Sequence, residues 1–168
     1  KSLEGNKKSS VLNKFEKVNM PPIQIFFSYS HKDEDLMNDV RRQLILYDRQ
    51  KLIRKWYDRK ILPGQEFNKI IDERLEYAQI ILLFVSPHFI ESKYCYNVEM
   101  KRALQRHESG DAIAIPIILR PCPWQDAPFS HIQVLPKDGL AVTQWEDRDE
   151  ATLDVAQGVM QVVHQLSS

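Results

Sequence analysis

The chain is poor in glycine and cysteine and has no excess of either charge. Each shortage excludes something. Only five glycines stand among 168 residues, too few and too scattered for a Gly-rich phosphate loop. Neither a Rossmann fingerprint nor a P-loop is present. Two cysteines, Cys95 and Cys122, make no disulfide framework. They point to a reducing compartment, so a cytoplasmic location is expected. Lysine plus arginine is 23 and aspartate plus glutamate is 23. The basic excess of a dedicated nucleic-acid binder is missing, and no nucleic-acid partner is expected. Weak net repulsion also tolerates self-association.

Long apolar runs are missing too. The longest, Ile80 to Val85 and Ala112 to Leu119 with Pro116 inside it, fall short of the roughly 18–20 residues that cross a bilayer. No signal-peptide stretch opens the chain, and no membrane partner is expected. His88, His107, Cys122 and His131 lack zinc-ligand spacing, so no metal site is expected. The first residue is Lys1, not methionine, which suggests a piece of a longer protein.

What is present is an ordinary globular composition, 43% apolar and 27% charged. The length suits one domain. Residues 1–20 are lysine-rich and only weakly striped, and read as a linker or short helix from an upstream region. Pro21 and Pro22 mark the boundary, and the domain is expected over 21–168.

From there strands and helices alternate. Ile23 to Ser28 reads as a buried strand and Leu52 to Asp58 as an amphipathic one near an edge, since it carries Arg54 and Lys55. Gln79 to Ser86 is apolar on both faces, as a central parallel strand should be. Ala112 to Leu119 is a fourth strand, and Leu140 to Val142 a short fifth. Ser30 is a plausible N-cap, with Asp33, Glu34 and Asp35 in the first turn after it. Helical stripes follow at Leu36, Val40, Leu44 and Tyr47, at Phe67 to Ala78, at Tyr96 to His107, and at Leu153, Ala156, Met160 and Val163. The pattern predicts an α/β domain with a parallel sheet. Ligands in such sheets bind beyond the carboxyl ends of the strands. That points to Ser28-Tyr29-Ser30, to Asp58–Gln65 and to Ser86–Glu99.

An ordered series of motifs lies at those places. The first strand runs Phe26-Phe27-Ser28-Tyr29-Ser30-His31-Lys32-Asp33. Trp56-Tyr57-Asp58 and Ile61-Leu62-Pro63-Gly64-Gln65 follow the second. Leu83-Phe84-Val85-Ser86-Pro87 precedes Phe89, Ser92, Tyr94-Cys95 and Glu99. This succession resembles a TIR (Toll/interleukin-1 receptor) domain of bacterial type, over about residues 22–166. The resemblance implies a flavodoxin-like fold, with about five parallel strands and helices on both faces. It implies one of two functions. One is cleavage of NAD+ at the nicotinamide–ribose bond, releasing ADP-ribose or a cyclic isomer. The other is a catalytically silent adaptor. Both act through homotypic assembly, in which the loop after the second strand takes part. NAD+ would be substrate, with no cofactor. The enzyme reading makes the chain an NAD+ nucleosidase, the effector of an intracellular bacterial anti-phage or innate immune protein, with its sensor upstream in the same chain.

By the same resemblance, Glu99 is the catalytic glutamate. At helical spacing, Ser92, Cys95, Glu99 and Ala103 form one ridge, so Glu99 is expected semi-buried and aimed at a cleft. The plainer reading is a surface glutamate paired with Arg102. In several NAD-cleaving members a tryptophan stands four residues before the glutamate. Here Cys95 does, with Tyr94 one place earlier. An inserted residue would bring Tyr94 into the aromatic role. Otherwise the stacking platform is lost. Phe27, Ser28 and Tyr29 are candidate substrate contacts, with plain core as the alternative for Phe27. Asp58 would bind ribose or cap a turn. Leu62 is a further substrate contact, and Leu62-Pro63-Gly64 is the assembly loop or simply a tight connection. Trp124 is expected to anchor the proline-rich loop. A receiver domain of the same fold is disfavoured, because Ser28-Tyr29 and Ser86-Pro87 stand where its acidic residues belong.

Overall fold

The computed structural model describes residues 20–57 and 63–168. Apart from Met20, the segment read as a linker or short helix lies outside them, as do Asp58 and Leu62.

Four strands form one parallel sheet: β1 (Ile23–Ser28), β2 (Ile53–Trp56), β3 (Ile80–Val85) and β4 (Ile113–Ile118), in the order β2-β1-β3-β4. Both strands at the centre, β1 and β3, have strongly apolar sequences, that of β3 without interruption. All six residues of β3 are buried. Alternation then divides the core into two layers. Ile25, Phe27, Ile80, Leu82, Phe84, Ile115 and Ile117 face one side. Phe26, Ile81, Leu83, Val85, Ala114 and Ile118 face the other.

Helices cover both faces. On the first side lie α1 (Glu34–Gln43) and the long C-terminal α6 (Arg148–Leu166). On the second lie α3 (Phe67–Tyr77), α4 (Pro87–Glu91), a π-helical segment (Lys93–Met100) and α5 (Lys101–Glu108). The stripe through Leu44 and Tyr47 does not stay on one helix. The chain breaks at Leu44 and resumes as a short α2 (Ile45–Arg49). In α6 the buried stripe runs through Ala151, Val155, Ala156, Val159, Met160 and Val163, while Leu153 is exposed.

Two polar side chains hold the second layer: Arg106, not singled out in the sequence, and His107, read there only as part of a helical stripe and as no metal ligand. Arg106 is buried, and its guanidinium donates to the carbonyls of Leu75 (2.6 Å) and Ala78 (2.7 Å), closing the C-terminal end of α3. His107 Nδ1 accepts from the Ala114 amide at 3.0 Å, tying α5 to β4.

The fifth strand expected at Leu140–Val142 is not formed. Those residues lie at the start of a 3-10 turn, Val142–Gln144. Ala141 packs into the second layer and Val142 into the first, so the apolar signal is real burial at a turn between layers. Beside β4, Leu135 makes a single bridge to Ile117. Its amide donates to Pro116 O at 2.9 Å, and Thr143 N donates to Leu119 O at 3.1 Å. β4 is thus an edge strand, where Pro116 is tolerated. β2 is also at an edge, as its sequence suggests. Arg54 stacks on Trp56 (4.4 Å to the ring), and Lys55 reaches Asp48 at 3.5 Å with its side chain 3% exposed. Trp124 packs against the second layer as expected, and a side chain at Gly139 (φ +69°) would meet its ring at 2.8 Å. Among the described residues no helix is long and apolar enough to cross a membrane.

Candidate active site

The chain runs from β1 outward to β2, then crosses back to β3 on the other side of β1. The strand order therefore reverses between β1 and β3, and the crevice at their carboxyl ends is where an open α/β sheet binds ligands. Ser28 ends β1 there, and Ser86 follows β3.

Ser28 points to the second layer, like Phe26 two places before it. Its Oγ donates to Glu99 Oε1 at 3.0 Å. Both residues are 0% exposed. Glu99 is therefore fully buried, not semi-buried over an open cleft. Nor does it pair with Arg102, whose guanidinium holds Glu76 instead, at 2.7 Å. That partner keeps the Glu76 carboxyl below the usual range.

Glu99 lies on a capped π-helical segment. Ser92 caps the segment by accepting from Cys95 N at 3.1 Å, and from Lys93 to Met100 the helix is wound in π form. A π turn holds one more residue than an α turn, so both Tyr94 and Cys95 lie about one turn before Glu99. Here is the one-residue insertion that the sequence leaves open. Cys95 is buried, its Sγ donating to Tyr29 O at 3.3 Å, and Tyr94 is half-buried against the second layer.

The other expected site residues divide by face. Phe27 points to the first layer, away from Ser28, with ring centroids 5.3 Å from Phe84 and 6.0 Å from Tyr57. Tyr29 also lies in that layer, and its hydroxyl donates to Tyr57 O at 2.8 Å, joining the ends of β1 and β2. Pro63 and Gly64 are exposed in a turn, with Gly64 at φ +89°. Ser30 acts as an N-cap, accepting from Lys32 N at 3.4 Å.

A family model described as TIR domain matches residues 25–154. The chain belongs to the TIR domain family. The uncharacterized protein y4lF of Sinorhizobium fredii (strain NBRC 101917 / NGR234) is 50% identical over 135 residues, 80% of this chain and 42% of that protein. The chain thus spans less than half the length of this curated relative, whose bacterial source agrees with the bacterial type of the resemblance. The fold is similar to the TIR domain of the Toll-related receptor TRR-2 from Hydra magnipapillata. That match has a TM-score of 0.60 at 19% identity, covering 84% of this chain and 98% of that one. The TIR fold is present here, with four strands in its sheet among the described residues.

A second polar cluster at the same end of this TIR domain carries no signal in the sequence. Asp33, by sequence only a first-turn carboxylate, is 1% exposed. It accepts from Ser86 Oγ and, at 2.8 Å, from Arg120 Nε. Ser86 in turn accepts from Phe89 N at 3.0 Å, capping α4. The partners lie 53 and 87 residues from Asp33, and no local pattern links them.

Proposed function

We propose that this TIR domain cleaves the nicotinamide–ribose bond of NAD+, with Glu99 as the catalytic carboxylate. The supporting observation is the placement of Glu99: buried at the strand-order reversal and oriented by Ser28. A carboxyl group oriented in a water-excluded site acts strongly on positive charge that develops beside it.

The ring nitrogen of NAD+ is already cationic. When the C1′–N bond breaks, nicotinamide leaves with the bonding pair as a neutral molecule and needs no proton. The ribose is left as an oxocarbenium ion. Glu99 stabilises that developing charge and holds a ribose hydroxyl. Capture by water releases ADP-ribose and one proton. Capture by an atom of the substrate gives a cyclic isomer. Ser28 positions the carboxylate, and Tyr94 and Cys95 supply the wall a turn away. Tyr29 joins them through its backbone, and Phe27 supports β1 from behind. Asp58 is the expected ribose contact and Leu62 the expected loop contact.

A wholly buried carboxylate requires the site to open for substrate. In this proposal, homotypic assembly through the segment Leu62-Pro63-Gly64 drives the opening. The domain then serves as the effector of a longer cytoplasmic bacterial defence protein with its own sensor region. A second reading, a silent adaptor, draws on the same burial and on Cys95 in place of the usual tryptophan. Incubation with NAD+ at high protein concentration, with products resolved by chromatography and mass, separates the two. Nicotinamide release that disappears in Glu99→Gln supports the enzyme. No release from the wild type, even when crowded on a surface, supports the adaptor.

A further inference from the structure

The cluster around Asp33 joins three segments of the chain. Its three members come from the carboxyl ends of three strands: Asp33 after β1, Ser86 after β3, Arg120 after β4. All stand at the carboxyl edge of the sheet, where Ser28 ends β1 and holds Glu99. Strands β1 and β4 flank β3, so their ends are two spacings, roughly 10 Å, apart.

The ion pair is lopsided. The Asp33 side chain is 0% exposed, while that of Arg120 is 38% exposed. Asp33 takes the Nε hydrogen of Arg120. A guanidinium has four more N–H donors, on its two Nη atoms. Among the described residues these make no further hydrogen bond. A buried carboxylate thus holds the inner edge of a cation whose outer edge is open. Such a held fork is pre-organised for the oxygens of a phosphate, as a free surface side chain is not.

We infer that Arg120 binds a phosphate of a nucleoside diphosphate group, with Asp33 as its positioning residue. The inference rests on the NAD+ reading above, in which the pyrophosphate begins one ribose from the bond cleaved. Arg120, after β4, stands two strand spacings along that edge from the end of β1, where Ser28 holds Glu99.

The test uses ADP as probe, in calorimetric titrations that need no turnover. Wild-type protein should bind ADP, and Arg120→Gln should weaken it tenfold or more. Adenosine should bind no better to wild type than to the variant. Arg120→Gln leaves the buried Asp33 without its cation, so Asp33→Asn/Arg120→Gln, which removes both charges, is measured beside it and should lose ADP equally. Asp33→Asn alone keeps the cation but releases it, and should fall between. ADP affinity unchanged by either Arg120 variant, or no ADP binding by the wild type, overturns the inference. The two readings fail separately. Arg120-dependent ADP binding without NAD+ turnover leaves the phosphate site and removes the reaction. Glu99-dependent turnover with Arg120-independent ADP binding does the reverse.

Discussion

Ser28 Oγ donates to Glu99 Oε1 at 3.0 Å, joining the end of β1 to a π-helical turn 71 residues later. Both residues are fully buried. The bond fixes the direction of the carboxylate. Ser28→Ala removes a buried donor and should lower stability by about 1–3 kcal/mol. In the enzyme reading it should also lower the rate of NAD+ cleavage at least tenfold. A double-mutant cycle with Glu99→Gln, followed by urea unfolding, checks the coupling. Strictly additive effects would show that the two side chains do not act together.

Gly64 sits at φ +89° in an exposed turn, and among the described residues no atom stands within 4 Å of the place a Cβ would take. Gly64→Val therefore meets no clash there, only the strain of a branched residue in left-handed backbone, about 1–2 kcal/mol. The assembly proposal expects smaller oligomers in light scattering and a parallel fall in nicotinamide release. Unchanged size and unchanged activity together would remove this turn from the interface.

Arg106 supplies donors to the carbonyls of Leu75, Ala78 and Asp111. Arg106→Ala leaves these acceptors without them and should reduce unfolding free energy by roughly 2–3 kcal/mol. Arg106→Lys keeps the charge but not the fork and should fall between. Chemical denaturation of the three proteins gives the order directly.

Burial holds the Lys55 ammonium below the usual lysine value of 10.5, against the opposing pull of Asp48. The unfolded chain therefore binds this proton more tightly than the folded one. Between the lowered value and 10.5, folding stability attributable to Lys55 should rise with pH. Lys55→Met should flatten that rise and leave stability at neutral pH equal or higher. Thermal melts across the alkaline range measure both. A rise that persists in the variant belongs to another group.

The sheet was legible because its strands announce themselves. Ile23–Ser28 has the same limits in sequence and structure, and the unbroken apolar run of β3 marks a strand packed on both faces. Leu140–Val142 misled because apolar residues also occur where a turn tucks into both core layers. The site was legible in part. Glu99 and Ser28 lie in recognisable motifs, but α-helical spacing hides the π-helical segment on which Glu99 lies fully buried. Asp33, Ser86 and Arg120 carry no joint signal, since their association exists only once three strands lie side by side.

The central claim is that Glu99 cleaves NAD+, and the most direct measurement is the rate of nicotinamide release against protein concentration for wild type and Glu99→Gln. The account predicts release by the wild type that rises more steeply than concentration, as assembly opens the site, and none by a variant that still folds and assembles. Equal release by the two proteins would contradict it.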